Sequence, residues 1–432
     1  MQSPRNCNSA RLLLCNLNKG CGFGCQIHHA VYCFIVAFGT QRTLIFEENA
    51  RSWRYASQGF ESVFLPISTC TYSEQMMLDQ VPYTSVDQSD RVVSLPIIDG
   101  LASDPPFLPL AFPKELAGDL LDLHSNPPAW WVGQFAKYIL RPRDELQSRL
   151  DGEMARIWGA DGESAIVGVH VRRTDKIASE AAFHSLEEYM YWVELHFDVL
   201  DFKLELEQRT DLFAAASDID RRSGGDHDDK RRRRVKRRVF IASDDPELIR
   251  EARHKYPNYE VLGDEKTALG AVVANRYSDE SLVGIVKDIQ LLARTDFLVC
   301  TFSSQVCRLA YELMQTQSRP FETGSSVHSL DDVYYFGGQS AHELQAWLPH
   351  PGNANNRRSN RNKNGNKNRN RNGNEELELA VGERVALAGN HYDGWSKGTV
   401  VGRGQTGVFP AYKVREVWRA VEMFGRPRSR RR

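Results

Sequence analysis

The residues with the clearest capacity for chemistry lie in the stretch Gly168-Val-His-Val-Arg-Arg-Thr-Asp-Lys176, where an apolar run ends in charged side chains. Ligands of open α/β proteins bind at the carboxyl ends of such strands. A guanidinium there has a planar fork that matches a diphosphate, so Arg172 and Arg173 indicate an anion site. From the residues alone, an ordinary charged strand end explains the pattern equally well.

Two further predicted strand-to-helix turns carry polar groups. Phe302-Ser-Ser-Gln305 offers hydroxyls and free backbone N–H groups that suit a phosphate, although a serine N-cap accounts for the same residues. Asp244 and Asp245 follow another apolar run, where acids commonly favour the helix dipole. The sequence has no P-loop signature, and its single GxGxxG match, Gly402–Gly407, lies in the predicted barrel and not between a strand and a helix, which disfavours hydride transfer and ATP hydrolysis.

Asp-x-Asp triplets, which hold a metal in many glycosyltransferases, occur at Asp218/Asp220 and Asp226/Asp228. Both triplets lie inside a low-complexity segment, which makes them poor metal ligands. An enzyme that handles a nucleotide diphosphate without a metal needs arginine instead. The pair at 172–173 supplies that charge.

The eight cysteines are clustered, with six in the first seventy residues and the remaining two at 300 and 307. An even, clustered set favours disulfides in an oxidising compartment, although eight cysteines allow about 105 pairings. Cys21 and Cys25 followed by His28 and His29 offer a competing zinc interpretation, and buried thiols of a cytosolic protein are a third. The spacing alone favours disulfides by a small margin.

Length and pattern divide the 432 residues into several units. Residues 1–160 mix short apolar runs with Pro-rich connections and predict an α/β unit. Over 161–350, apolar runs alternate with helical stretches, which predicts a parallel sheet covered by helices. A charged insertion at about 209–236 is expected to be a surface loop. The predicted helices include Trp130–Leu140, Arg143–Trp158, Leu186–Leu206, Leu282–Arg294 and Gln305–Met314.

A third unit follows an Asn/Arg-rich linker at 351–374. Alternating apolar residues and glycine-rich turns predict a small five-stranded barrel over 375–418, and Gly407–Val414 resembles the closing strand of an SH3-like domain. The usual Asn before the Tyr and the acidic, aromatic opening motif are absent. Because both features build the groove for Pro-rich peptides, an adaptor function is disfavoured. Residues 419–432 are interpreted as a basic tail.

The formal net charge of −1 conceals an uneven distribution. Three stretches, 221–238, 357–371 and 426–432, hold 22 of the 55 Lys and Arg residues, which leaves 33 basic and 53 acidic residues elsewhere. An acidic body does not favour nucleic-acid binding. The longest apolar run, Ala30–Phe38, is too short to cross a bilayer.

Five motifs together carry a resemblance to a known family. They are Asn18-Lys-Gly-Cys-Gly-Phe-Gly-Cys-Gln-Ile-His-His29, His170-Val-Arg-Arg-Thr-Asp-Lys176, Glu180-Ala-Ala-Phe-His184, Thr301-Phe-Ser-Ser-Gln-Val-Cys307 and Ser329-Leu-Asp-Asp-Val-Tyr-Tyr-Phe-Gly-Gly-Gln339. At this density the chain resembles the animal α1,6-fucosyltransferases, over about residues 5 to 417 apart from the two insertions. The resemblance implies an open α/β domain, a Rossmann-type nucleotide-binding domain in a GT-B-like arrangement, and a C-terminal SH3-like β-barrel. It also implies inverting, metal-independent transfer of fucose from GDP-β-L-fucose to the 6-hydroxyl of the innermost GlcNAc of N-glycans.

The same resemblance assigns roles to individual residues. On the donor side, His170 and Asp288 would read guanine, Tyr55 would lie near the ribose, and Arg173 belongs to the donor motif. The diphosphate would be held by Gly22, Gly24, Cys25, Arg172 and Ser304. The acceptor glycan would contact Lys19, Asp99, Asp175, Asp331, Asp332, Tyr335, Gln339 and His391. Tyr189, Asp244 and Asp245 match positions needed for activity, without an assigned role.

A mechanism follows from general chemistry together with the resemblance. A sugar hydroxyl is a poor nucleophile near neutral pH, so a carboxylate must take its proton as the bond to GDP breaks. Glu180 is the predicted base, with Lys176 as a relay, while Arg172 stabilises charge on the leaving phosphate. The resemblance further implies the disulfides Cys7–Cys70, Cys15–Cys33, Cys21–Cys25 and Cys300–Cys307, which favours disulfides over zinc.

Members of the family begin with a cytoplasmic tail, a membrane anchor and a coiled-coil stem that drives dimerisation, none of which is recognisable here. We expect a Golgi-lumen enzyme, membrane-anchored and homodimeric in its full-length form, that binds GDP-fucose and N-glycans on glycoproteins. No cofactor, metal or nucleic-acid partner is expected. Two alternatives stay open: a related fucosyltransferase with another acceptor, and an inactive homologue that binds glycan.

Overall fold

The computed structural model describes residues 1–97, 105–159, 165–173, 181–217, 235–272, 274–317, 326–337, 343–352, 376–390 and 393–423. Within them, the first unit contains a four-stranded parallel sheet in the order β2-β1-β4-β3. Its strands are β1 (Leu12–Cys15), β2 (Thr43–Phe46), β3 (Val81–Pro82) and β4 (Val92–Leu95), and a further short strand is β5 (Ala111–Pro113). The helices are α1 (Phe23–Gly39), α2 (Glu74–Asp79), α3 (Ala117–Leu123), α4 (Pro127–Ile139) and α5 (Asp144–Trp158).

The second sheet has five parallel strands in the order β10-β9-β6-β7-β8. They are β6 (Ile166–Val171), β7 (Arg238–Ser243), β8 (Glu260–Leu262), β9 (Phe297–Cys300) and β10 (Val327–Ser329). The strands β6, β7 and β9 are buried along their whole length, as their continuous apolar sequences require in a sheet covered on both faces. The connecting helices are α6 (Leu186–Ser217), α7 (Pro246–Lys255), α8 (Glu265–Gly270), α9 (Asp279–Leu292) and α10 (Gln305–Met314).

The third sheet is antiparallel, in the order β14-β13-β12-β11-β15. It encloses a small core of its own that includes Leu344, Val385 and Phe409. Its strands are β11 (Glu343–Ala346), β12 (Arg384–Asn390), β13 (Trp395–Val400), β14 (Thr406–Pro410) and β15 (Val414–Glu416).

The structure differs from the sequence predictions at three boundaries. The barrel was expected to begin at residue 375, but its strand β11 lies earlier in the chain and pairs with β12 and β15 across the predicted linker. The expected loop at 209–236 is helical as far as Ser217, since α6 continues beyond Leu206. The expected basic tail begins with strand β16 (Arg419–Val421), which pairs in parallel with β5 of the first unit.

The two parallel sheets share one apolar core. Helices α1, α4, α9 and α10 pack together, and a continuous buried cluster extends from Leu13 in the first sheet to Leu298 in the second. The crossing of α4 and α10 is close, because a side chain at Gly133 would collide with the carbonyl oxygen of Glu312. Only glycine permits this contact, so helices from the two units pack directly against each other. None of the helices in the described residues combines the length and apolar character needed to cross a bilayer.

Candidate active site

Polar residues follow three neighbouring strands of the second sheet. Because β6, β7 and β9 are parallel, Arg172, Asp244 and Ser304 come together at one edge. The guanidinium of Arg172 lies 3.2 Å from the buried carboxylate of Asp244, whose other oxygen accepts the backbone N–H of Arg173 at 2.8 Å. Asp244 therefore orients the start of the arginine motif. This is a structural role for a residue to which the sequence analysis assigned none.

A cavity of about 500 Å³ opens at this edge, between the two α/β units. Its walls carry guanidinium groups, hydroxyls and backbone, and none of the described residues lining it is acidic. From the first unit they are Gly20, Cys21, Gly22, Phe23, Gly24, Cys25 and Tyr55. From the second they are Arg172, Ala271, Arg276, Ser281, Ile285, Ser303, Ser304, Gln305, Val306, Arg308, Tyr335 and Gly337. The lining is suited to an anion with an attached organic group.

The N-terminus of α1 forms one wall of this cavity. Gly22 is the N-cap residue and offers no side chain to the first-turn N–H groups of the helix, which has no acidic residue in that turn. Gly24 packs against α10, where a side chain would come within 2.9 Å of the backbone of Gln305. The disulfide Cys21–Cys25 ties the preceding loop to the same first turn. Unpaired N–H groups at a helix N-terminus form a ready site for phosphate.

The N-terminus of α10 forms the facing wall in a similar way. Ser304 occupies the N-cap position without a side-chain hydrogen bond to the helix, and the first turn again lacks an acid. The disulfide Cys300–Cys307 ties that turn to the end of β9. In contrast, α7 and α9 are capped by Asp245 and Ser278 and carry acids in their first turns. Among the helices of the described residues that line the cavity, α1 and α10 are thus left open for an external anion, whereas α9 is capped.

Two arginines of the cavity were missed by the sequence analysis. Arg276 lies close to Gly22, and the Nη1 atom would be 3.9 Å from a side chain placed there. Arg308 stacks 4.0 Å over the ring of Tyr335 and donates to the carbonyl oxygens of Tyr335 and Gly337 at 3.0 and 3.1 Å. Arg308 belongs to the helix that follows the serine turn, so its spacing from Gln305 was an available signal. Arg276 lies in a loop, where no local pattern distinguishes it.

The two predicted guanine-reading residues lie outside the lining of the cavity but beside it. His170 lies on β6, two residues before Arg172 in the chain. It is buried, and burial lowers its pKa to about 4. Its Nδ1 has no hydrogen-bond partner among the described residues. Asp288 follows Ser281 and Ile285 on one face of α9, and burial raises its pKa to about 7. A neutral imidazole and a buried carboxyl group with unused hydrogen-bonding capacity can recognise a polar heterocycle.

Tyr55 is buried in the cavity wall, its ring 5.6 Å from that of Phe23 and 5.0 Å from that of Tyr277. Burial raises the pKa of its hydroxyl, which therefore stays protonated. The loop that carries Tyr55 is fastened to the second unit, because Ser57 donates to Asp279 through both its backbone N–H and its hydroxyl, at 2.8 and 2.6 Å. Tyr55 thus sits where the two units meet.

The predicted acceptor residues have different surroundings. Tyr335 lines the cavity, and Lys19 lies next to Gly20 at its rim. Asp331 is buried and accepts the hydroxyl of Ser329 at 3.0 Å and the N–H of Ser303 at 3.4 Å, so it holds the turn before α10. Asp332 is partly exposed, and its carboxylate accepts the N–H of Val333. Of these four residues, Asp331 has the environment of a positioning residue.

Three other predicted residues, Arg173, its partner Asp245 and Tyr189, support the site from outside. Arg173 does not line the cavity, and its guanidinium lies 3.5 Å from the carboxylates of both Asp245 and Glu251. Tyr189 is buried on α6, and its hydroxyl hydrogen-bonds to Thr301, just before the serine turn. Asp99, Asp175, Lys176, Glu180, Gln339 and His391 lie outside the described residues.

The zinc interpretation is wrong, because the sulfur atoms are consumed in disulfides. The structure contains Cys7–Cys70, Cys15–Cys33, Cys21–Cys25 and Cys300–Cys307, the same pairs that the resemblance implies. His28 binds Glu312 instead of a metal. Within the described ranges, one group of potential metal ligands is close enough to share an ion, Cys15, His29 and Cys33, and two of its members form a disulfide.

Two parallel sheets covered by helices, with a cavity at the carboxyl edge of the strands, define an open α/β protein with the ligand site usual for that class. Comparison with known proteins gives the family. The family described as "Alpha-(1,6)-fucosyltransferase N- and catalytic domains" matches residues 1–220 and 226–335, and a variant SH3 domain matches 372–415. The chain belongs to the alpha-(1,6)-fucosyltransferase family. This confirms the predicted family, and the SH3 match agrees with the antiparallel barrel.

Individual relatives agree with this assignment. The chain is 42% identical over 419 residues to the alpha-(1,6)-fucosyltransferase of Caenorhabditis elegans, covering 97% of this chain and 66% of the relative. It is 44% identical over 418 residues to the enzyme of Drosophila melanogaster, covering 96% and 58%. The chain thus spans about two thirds of the length of one curated relative and less of the other. A solved structure of NodZ alpha-1,6-fucosyltransferase soaked with GDP-fucose is 16% identical, with a TM-score of 0.32 over 70% of this chain and 92% of that one.

Proposed function

We propose that the chain transfers L-fucose from GDP-β-L-fucose to the 6-hydroxyl of the innermost GlcNAc of N-glycans. The observation that carries this proposal is the meeting of two uncapped helix N-termini with Arg172 and Arg276 in one cavity. A diphosphate is the anion that would use both helix ends and both guanidinium groups at once. Family membership supports fucose as the transferred sugar and the 1,6 linkage, and the sequence resemblance implies GDP-fucose as the donor.

The donor is expected to lie across the cavity with its diphosphate between the two helices. Backbone N–H groups of Gly24 and Cys25, together with Ser304 and Arg172, would bind the phosphate oxygens. Asp288 accepts the two N–H donors of guanine when it is ionised, and His170 contacts another edge of the base. Tyr55 packs beside the ribose.

Metal independence is supported by the chemistry of the lining. A divalent cation bound to a diphosphate usually takes carboxylate ligands from the protein, and the described residues of the cavity wall include none. Their positive charge comes from arginines and helix dipoles, which stabilise a leaving phosphate in the same way. The proposed reaction therefore needs no cofactor beyond the donor substrate.

The transfer itself inverts the anomeric centre. Glu180 takes the proton of the acceptor hydroxyl, whose oxygen attacks the anomeric carbon from the face opposite GDP, with Lys176 as the relay for the proton. The bond between fucose and the β-phosphate breaks, and Arg172 stabilises the charge that develops on that phosphate. The roles of Glu180 and Lys176 rest on the sequence motif.

The remaining elements of the proposal concern the setting of the enzyme. The glycan is bound by the rim around Lys19 and Tyr335, together with Asp99, Asp175, Asp332, Gln339 and His391. Residues 1–160 form the open α/β domain, the donor domain extends from 161 to the segment before β11, and the barrel, which includes β11, ends at 418. Four disulfides suit the Golgi lumen, where we place a membrane-anchored, homodimeric full-length protein.

The test is to incubate purified protein with GDP-fucose and a GlcNAc-terminated biantennary N-glycan and to follow the product by mass spectrometry. Addition of one deoxyhexose to the innermost GlcNAc is expected, with chitin oligomers as a comparison acceptor. Binding of the glycan without any transfer would indicate an inactive homologue, and preferential transfer to chitin would indicate another acceptor class.

A further inference from the structure

A buried cluster of three polar side chains joins the two helices that form the cavity. Nε2 of His28, on α1, lies 3.0 Å from both carboxylate oxygens of Glu312, on α10. The hydroxyl of Tyr334 donates to Oε1 of the same carboxylate at 2.8 Å. Glu312 is completely buried and the other two are nearly so. None of the three lines the cavity.

The positions of the contacts along the helices matter for the site. Gly24 of α1 touches the backbone of Gln305, the first residue of α10. Four residues further along α1, His28 meets Glu312, which lies seven residues after Gln305. Residues four or seven apart lie on one face of a helix, so the two contacts fall along one line between α1 and α10. They fix the alignment of two N-termini that must both face one diphosphate.

The third member connects these helices to the loop 331–337. Tyr334 precedes Tyr335, whose ring lines the cavity under the guanidinium of Arg308. Arg308 lies one turn before Glu312 on α10 and binds the same loop through two backbone carbonyls. Helix α10 thus contacts two parts of the site. One is α1, whose N-terminus forms a wall of the cavity, and the other is the loop 331–337, which carries acceptor candidates.

Buried ionisable clusters of this kind add little stability compared with apolar packing of the same volume, whereas their hydrogen bonds have fixed directions. We infer that His28, Glu312 and Tyr334 are positioning residues that align the donor pocket with the acceptor loop. The inference rests on the proposed function and adds a division of labour. The contact of His28 with Glu312 aligns the donor pocket, and the contact of Tyr334 with Glu312 aligns the acceptor loop. Glu312 takes part in both contacts.

The variants Tyr334→Phe, His28→Phe and Glu312→Gln test this division, with Tyr138→Phe as the matched control. Tyr138 also donates its hydroxyl to a buried partner, the carbonyl oxygen of Ile67 at 3.1 Å, but does not line the cavity. Loss of one hydrogen bond that aligns a substrate corresponds to about a tenfold effect. Tyr334→Phe should raise the KM for the glycan by that factor and leave the Kd for GDP within about twofold.

The His28 variants should show the opposite pattern. His28→Phe should weaken GDP binding about tenfold, and His28→Gln, which keeps an N–H near the same place, should recover part of that loss. Glu312→Gln should impair both substrates and lower kcat. If His28→Phe or Glu312→Gln does not fold, the glycan KM and GDP affinity of Tyr334→Phe decide the test, because that variant removes only one hydroxyl.

The outcomes separate the two proposals. A wild-type protein that neither binds GDP nor transfers fucose would reject the proposed function. An active wild type with Tyr334→Phe and His28→Phe matching Tyr138→Phe in GDP affinity, glycan KM and kcat would reject the positioning role. Variants that lower only the melting temperature, with unchanged kinetic constants, would reject it too.

Discussion

Replacement of Arg172 by alanine removes the guanidinium that the structure places between a buried acid and the cavity. The Arg172 side chain retains 17% of its surface in water, and Asp244 holds it at 3.2 Å. Truncating one partner of a buried charged contact costs about 2–5 kcal/mol. Because Arg276 and two helix N-termini remain, we expect the lower part of this range, about 2–3 kcal/mol, or roughly 30- to 150-fold weaker GDP binding.

The assay is titration calorimetry with GDP, accompanied by a melting curve for each variant. Arg172→Ala also leaves Asp244 without its guanidinium, so a lower melting temperature is expected from the unpaired buried acid. The double variant Arg172→Ala/Asp244→Asn should recover stability but not GDP affinity. Arg172→Lys keeps the charge and loses the planar fork, so it should bind GDP at least about tenfold more weakly. A folded Arg172→Ala protein with wild-type GDP affinity would refute the assignment of the diphosphate site.

Three further predictions concern the base, the guanine site and the disulfides. Glu180→Gln should lower transfer at least about 100-fold while GDP affinity stays near the wild-type value, and near-normal turnover would exclude Glu180 as the base. Burial raises the pKa of Asp288 to about 7, and the proposed contact with guanine needs the carboxylate, so GDP binding should weaken about tenfold between pH 8 and pH 6. Asp288→Asn should not show this pH dependence. Identical pH profiles of GDP affinity for the two proteins, measured by calorimetry, would contradict the prediction. The folded pKa of Asp288 lies above its unfolded value, so its contribution to stability is lost as pH rises through 7, and Asp288→Asn should melt higher than wild type at pH 8. Reduction of the disulfides should lower the melting temperature, since removing one costs about 2–5 kcal/mol, and eight titratable thiols in active protein would be incompatible with this.

Much of the second sheet could be predicted from the sequence because its strands are continuous apolar runs and its helices are amphipathic. The predicted helix Gln305–Met314 has the observed bounds, and the apolar run that precedes Arg172 forms strand β6. The apolar run Ala30–Phe38 could not be assigned from periodicity, because α1 is buried on nearly every side and has no exposed polar face. Other elements could not be predicted because they depend on long-range pairing. Strands β11 and β16 are short, and their partners lie far away in the chain.

The site was predictable in part for a similar reason. Arginine after a buried strand is a local signal, and it singled out Arg172, which lines the cavity, although an ordinary charged strand end explained the same pattern equally well. The prediction that the N-terminus of α1 binds phosphate came from family resemblance, although its missing N-cap side chain and missing first-turn acid were available as clues. Arg276 enters the cavity from a loop of the second unit that meets the first unit only in the folded chain. Its role depends on tertiary packing, which no local pattern contains.

The most direct test of the central claim is the structure of the reaction product formed in the presence of EDTA. Wild-type protein, GDP-fucose and a biantennary N-glycan are combined, and the linkage and anomeric configuration of the new residue are determined by NMR. We predict an α-linked fucose on the 6-hydroxyl of the innermost GlcNAc, formed at the same rate with and without the chelator. Fucose on another hydroxyl, retention of the β configuration, or transfer that stops with EDTA and resumes with a divalent ion would contradict it.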